Sequence, residues 1–139
     1  MIDSNFIKNS KLGSQNVSRE TLDELNKYSM SIIKKNKDIN LISSSTEKSI
    51  NTRHIADSAQ TIDFIDKNDV KVCTDLGSGA GLPGIVLAIL MKPKKPGFKV
   101  IFYEKSYHKS NFLKEVSKKF KLNTEINQKN IFDQKNLQT

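Results

Sequence analysis

Apolar and polar positions alternate along the chain with a period that changes twice, and the changes mark its elements. From Ser18 onward Leu22, Leu25, Ser29, Ile32, Asn36 and Ile39 recur at helical spacing. Ser18 is a good N-cap, and Val17 and Leu22 occupy the N′ and N4 positions of a hydrophobic staple, so a helix is predicted from Ser18 to about Lys37-Asp38. Asn40-Leu41-Ile42 and a serine loop, Ser43-Ser44-Ser45, follow. A second helix is predicted from Glu47 to about Ile65, with Ile55, Ala59 and Ile62 on one side, and Asp66-Lys67-Asn68-Asp69 reads as a turn.

The period then shortens. Val70-Lys71-Val72-Cys73-Thr74 is a β-branched run ending in Asp75, followed by the glycine turn Gly77-Ser78-Gly79-Ala80-Gly81 and an apolar helix from Leu82 to Leu90 with Pro83 near its first turn. Two prolines and a glycine make Lys92 to Gly97 a loop. Lys99 to Tyr103 is a second strand closed by Glu104, and Lys109 to Phe120 a helix burying Phe112, Leu113, Val116 and Phe120. A third strand is predicted at Thr124 to Asn127, with Asn130-Ile131-Phe132 after a short turn. Strand, glycine turn and helix in this order open a nucleotide-binding βαβ unit. The expected organisation is an aperiodic, flexible N-terminus (1–17), a helical extension (18–66) and a Rossmann-like half-domain (67–139).

Charge adds one localised feature. The net charge is +8, and residues 92–121 hold ten lysines against Glu104 and Glu115, so the whole excess lies there. A basic patch of this kind fits a polyanion such as nucleic acid, or a solvated surface in a lysine-rich chain. Lys114, Lys118 and Lys121 share one face of the last helix. The single Cys73, within a strand, reads as a structural thiol, and two histidines at unrelated spacings make no metal site. The N-terminus MIDSNFIKNSKLG has no apolar leader region, and the longest apolar run, Ile85 to Met91, is too short to span a bilayer, so a cytoplasmic protein is expected.

The candidate site gathers on the glycine turn. Asp75 can accept hydrogen bonds from loop amides, bind a cationic cofactor group, or partner a helix N-terminus. The glycines stand at Gly77, Gly79 and Gly81, so Leu82 occupies the place of a dinucleotide fold's third glycine, and Gly84 comes too late to replace it. That departure argues against a nicotinamide dinucleotide and suits a cofactor without a pyrophosphate, such as S-adenosylmethionine. Glu104 can hold two ribose hydroxyls from the end of the second strand.

With these residues in view, the chain resembles the 16S rRNA guanine-N7 methyltransferases of the glucose-inhibited division protein B family. The match runs through Asn40-Leu41, then Arg53-His54-Ile55-Ala56-Asp57-Ser58 for the family's R-H-x-x-D-S. It continues through Asp75-Leu76-Gly77-Ser78-Gly79-Ala80-Gly81-Leu82-Pro83-Gly84 and Glu104-Lys105-Ser106 with Lys109 and Phe112-Leu113. The resemblance covers about Ser18 to Asp133. It implies a class I methyltransferase fold, S-adenosylmethionine as methyl donor and 16S rRNA in the small ribosomal subunit as substrate. It also implies cofactor contacts at Gly77 and Leu82 and at Asn130-Ile131 beside the adenine, in a monomer without metal. Arg53, His54, Lys105 and Lys109 are candidate RNA contacts. His54 reads first as a structural hydrogen-bonding residue, because guanine N7 offers a lone pair without a proton and methyl transfer to it needs no general base.

A doubly wound sheet has two halves, and only the first is visible before Thr139. The expectation is therefore a chain truncated at its C-terminus, impaired as an enzyme, with its first strand left as an exposed apolar edge open to self-association. Two other readings stay open: a non-catalytic RNA-binding module using 92–121, and a nicotinamide-binding oxidoreductase fragment.

Overall fold

The first helix starts where a side chain supplies the acceptor that the backbone lacks. Ser18 Oγ accepts the Thr21 amide at 3.1 Å, and helix α1 follows over Arg19–Lys35. The computed structural model describes residues 17–50, 55, 57, 60–77 and 79–129. Val17 and Leu22, the expected staple pair, are half-buried against the core, while Leu25, Ser29 and Ile32 of the predicted stripe are buried. Tyr28 lies on the same face, fully buried, although the predicted stripe omits it. The helix ends at Lys35 with Asn36 as C-cap, so Ile39 packs from beyond the helix rather than on it.

Asn36 organises what comes next. Its Oδ1 accepts the amides of Leu41 and Ile42 at 2.9 and 3.0 Å, and its Nδ2 donates to Glu47 at 2.8 Å. Replacing Asn36 with alanine removes all three bonds and is expected to cost about 2 kcal/mol. Urea denaturation checks this, and a cost below about 0.5 kcal/mol would show that the turn is held by its apolar residues alone.

Two expectations for the N-terminal half are corrected. The serine run is no loop: Ser43 Oγ accepts the Thr46 amide at 3.2 Å and caps a one-turn helix, α2, Ser44–Glu47. The described residues between Glu47 and Ile65 do not form one continuous helix either. Lys48 and Ser49 form a turn, Ile50 and Ile55 carry π-helical backbone, and a separate helix α3, Thr61–Lys67, follows a turn at Gln60. Serine and threonine favour caps and turns over helix interiors, which accounts for the break after Glu47. Helix α3 also runs into the predicted turn, which is confined to Asn68 and Asp69, with Asp69 in the left-handed region at φ 49°. Of the predicted apolar side, Ile55 and Ile62 are buried, and Ala59 lies outside the described residues.

The α/β half follows the prediction closely. Strand β1 is Val72–Leu76, helix α4 Gly84–Met91, strand β2 Lys99–Tyr103, helix α5 Tyr107–Lys119 and strand β3 Thr124–Asn127. The strands are parallel in the order β1-β2-β3, with Asp75 opposite Phe102 and Tyr103 opposite Asn127. All eight residues of α4 are buried, because the helix packs on β2 on one side and on α1 and α3 on the other. A helix covered all round can be apolar all round. One buried cluster joins Leu25, Tyr28 and Ile32 of α1 to Ile85–Met91 and Phe102.

Strand β1 pairs only with β2 among the described residues, and its Val72 and Leu76 are 47% and 55% exposed. The expected apolar edge is present. No helix among the described residues is long and apolar enough to cross a membrane.

Candidate cofactor site at the glycine turn

Strand β1 delivers Asp75 to the turn, β2 delivers Glu104 beside it, and α4 begins on the far side at Gly84. The turn needs glycine at three places: Gly77, Gly79 and Gly81 have φ of 67°, 60° and 95°, which residues with a Cβ adopt only at a cost. Around Gly77 a Cβ would meet nothing within 4 Å among the described residues, which leaves room beside the turn there. Around Gly79 it would approach the Leu41 carbonyl at 3.8 Å and Lys109 Cδ at 4.0 Å. Lys109 therefore lies along the turn, while Lys105 is exposed.

Gly84 corrects the reading that it stands too late to serve as the third glycine. A Cβ there would fall on the Phe102 ring and 2.7 Å from Asp75 Oδ2. Close approach of the helix start to the sheet is the task of the third glycine in a dinucleotide fold. Here the longer turn places that contact at Gly84, and Leu82 is half-buried against the core.

Asp75 is 8% exposed, and its Oδ2 accepts the Gly84 amide at 3.0 Å. Pro83, the residue at the N-cap of α4, makes no side-chain cap, so the strand's carboxylate caps the helix instead. Oδ1 accepts no hydrogen bond among the described residues. Burial pushes the carboxyl up to about 6; the Gly84 amide opposes the shift and the charge of Glu104 adds to it.

Glu104 is 6% exposed. Its Oε1 accepts the Gly79 amide at 3.2 Å and its Oε2 the Ser106 amide at 2.9 Å, while its carbonyl accepts the Ser110 hydroxyl at 3.1 Å. Both carboxylate oxygens thus shape the turn, and each keeps a second lone pair.

Tyr28 is the site neighbour that the sequence reading missed: its hydroxyl donates to the Ala80 carbonyl at 2.7 Å across 52 residues. Its place between Leu25 and Ile32 signals burial, and nothing local signals the bond. Arg53, His54, Asn130 and Ile131 lie outside the described residues. Cys73 is half-buried and free, its thiol pushed up by burial and then by Asp75, as suits a structural residue. Among the described residues Lys92 of the basic segment pairs with Glu24, Lys95 with Asp69 and Lys99 with Glu125. Lys114, Lys118 and Lys121 are exposed.

The sequence has relatives among known proteins. A family profile described as rRNA small subunit methyltransferase G matches residues 21–139. A protein of Pelagibacter ubique (strain HTCC1062) named ribosomal RNA small subunit methyltransferase G is 49% identical over 128 residues, covering 91% of this chain and 60% of the relative. Proteins of the same name from Jannaschia sp. (strain CCS1) and Bartonella henselae (strain ATCC 49882) are 40% and 48% identical, over 56% and 45% of their own lengths. The chain thus spans about half to three-fifths of these relatives. With the profile matching residues 21–139 of the chain's 139 and a parallel α/β sheet beneath the glycine turn, the chain belongs to the rRNA small subunit methyltransferase G family.

Proposed function

We propose that this chain forms the S-adenosylmethionine-binding part of a methyltransferase acting on guanine N7 of 16S rRNA in the small ribosomal subunit. The observation that carries the reading is the pair of buried carboxylates, Asp75 and Glu104, flanking the open glycine turn, with Asp75 Oδ1 unbonded among the described residues. A buried acid without a counter-charge is costly. A sulfonium cofactor with an ammonium group suits this pair, whereas the diphosphate of a nicotinamide dinucleotide would be repelled. When bound, the cofactor supplies an electrophilic methyl group. The chain's contribution is then to hold and orient: Asp75 toward cationic groups, Glu104 toward the ribose, and Gly77, Gly79, Gly81 and Leu82 along the cofactor, with Asn130 and Ile131 assigned to the adenine. Guanine N7 carries no proton at neutral pH, so no general base is needed and positioning suffices.

Lys105 and Lys109, together with Arg53 and His54, are the proposed RNA contacts, and the exposed Lys114, Lys118 and Lys121 extend the basic surface. The reading sets the protein in the cytoplasm with the ribosome. Calorimetric titration tests it with three ligands: S-adenosylhomocysteine, NAD and a short rRNA hairpin. Heat with S-adenosylhomocysteine, and RNA binding that weakens steeply with salt, are the expected results. Binding of NAD but not S-adenosylhomocysteine would overturn the reading. RNA binding alone would favour a non-catalytic RNA module, the second reading that the exposed lysines support.

A further inference from the structure

Tyr28 is fully buried, and burial followed by the charge of Asp75 keeps its phenol protonated. Phenylalanine would fill the same space without bringing a hydroxyl into an apolar interior, where it must find an acceptor. The acceptor it finds is the peptide between Ala80 and Gly81, at 2.7 Å. In a trans peptide the N–H points opposite to the C=O. Drawing the Ala80 carbonyl toward α1 therefore turns the Gly81 amide away from α1. The amides of Gly77, Gly79 and Gly84 are tied to Tyr103, Glu104 and Asp75. The Gly81 amide has no acceptor among the described residues, although Gly81 is buried.

An amino-acid tail on the cofactor brings a carboxylate as well as an ammonium group. Asp75 can take the cationic group, but both Asp75 and Glu104 repel the carboxylate, which needs an N–H donor of its own. We propose that Tyr28 is a positioning residue, fixing the Ala80–Gly81 peptide so that the Gly81 amide meets the carboxylate of the methyl donor. This rests on the methyl-donor reading above. It also gives the helical N-terminal segment a direct role in the site, through one hydrogen bond to the turn.

The test compares S-adenosylhomocysteine with its decarboxylated form, which lacks only the carboxylate, by calorimetry on the wild-type chain and on Tyr28→Phe. The expected result is a loss of about tenfold in affinity for S-adenosylhomocysteine in Y28F, with the decarboxylated ligand changed by less than about twofold. Equal losses for both ligands would mean that Tyr28 serves only the fold, and would overturn the proposal. The unaltered chain provides a second readout by amide NMR. The Gly81 resonance should move with S-adenosylhomocysteine and stay near its free position with the decarboxylated ligand, and equal movement with both would also overturn the proposal. A wild-type chain that binds neither ligand would remove the methyl-donor reading and this proposal together.

Discussion

Alanine at Gly84 is expected to destabilise the chain by about 3 kcal/mol, although the backbone there is not left-handed and alanine favours helix by about 1 kcal/mol. The added Cβ would land on the Phe102 ring, which is fully buried, and 2.7 Å from Asp75 Oδ2. Overpacking a filled interior costs about 1–3 kcal/mol, and displacing the buried carboxylate from the Gly84 amide costs about 1–3 more. Against a total stability of about 5–15 kcal/mol the loss is large. Gly77→Ala is the natural control, since its φ is 67° but nothing among the described residues lies within 4 Å of the new Cβ. It should cost only the left-handed strain, about 1–2 kcal/mol. Urea denaturation of both variants separates the effects. If Gly84→Ala proved no worse than Gly77→Ala, the close approach of α4 to the sheet would not be what demands glycine.

The second large effect is electrostatic. The Asp75 carboxyl sits at about 6 in the folded chain against 3.8 when unfolded, chiefly because it is buried. Between those values the folded state holds the proton that the unfolded state has released, so stability must fall as pH rises from about 4 to beyond 6. A shift of roughly two units corresponds to about 3 kcal/mol. Asparagine keeps an acceptor for the Gly84 amide and removes the charge. Asp75→Asn is therefore expected to match the wild type at pH 4, to exceed it by about 3 kcal/mol at pH 8, and to lose the slope between. The charge of Glu104 faces Asp75 and is relieved by a neutral side chain there, whereas the Cys73 thiol and Tyr28 phenol, both pushed up by burial and by Asp75, stay neutral over this range and add no slope. The same substitution should weaken S-adenosylhomocysteine, whose ammonium group loses its partner. Denaturation curves from pH 4 to 8 check the stability, and a wild type whose stability is flat over that range would refute the account. A carboxylate that costs stability when the site is empty and helps when a cation arrives is the usual trade between stability and function.

Much of the α/β half was legible locally. The bounds of β2 and β3 follow from alternation between breakers, and the loop from Lys92 to Gly97 follows from its prolines. Ser18 announced α1 because a cap acts within one turn of the helix. The turn at Gln60 was missed because the apolar spacing of Ile55 and Ile62 persists across it, and the break after Glu47 because Ser43 and Ser49 shift the backbone to caps and turns. Tyr28 was missed as a site residue for a different reason: its partner is 52 residues away.

The glycine turn divides the same way. Its order of strand, acid, glycines and helix, and the family it belongs to, can be read from the chain itself, because each depends on neighbouring residues and their backbone preferences. Which glycine meets the sheet, which oxygen of Asp75 is spent on Gly84, and how Glu104 and Tyr28 hold Gly79 and Ala80 were decided only by the tertiary structure. Those contacts join segments far apart in sequence, and the hydrogen bonds left open after packing, not the residue types alone, set what the turn can offer a ligand.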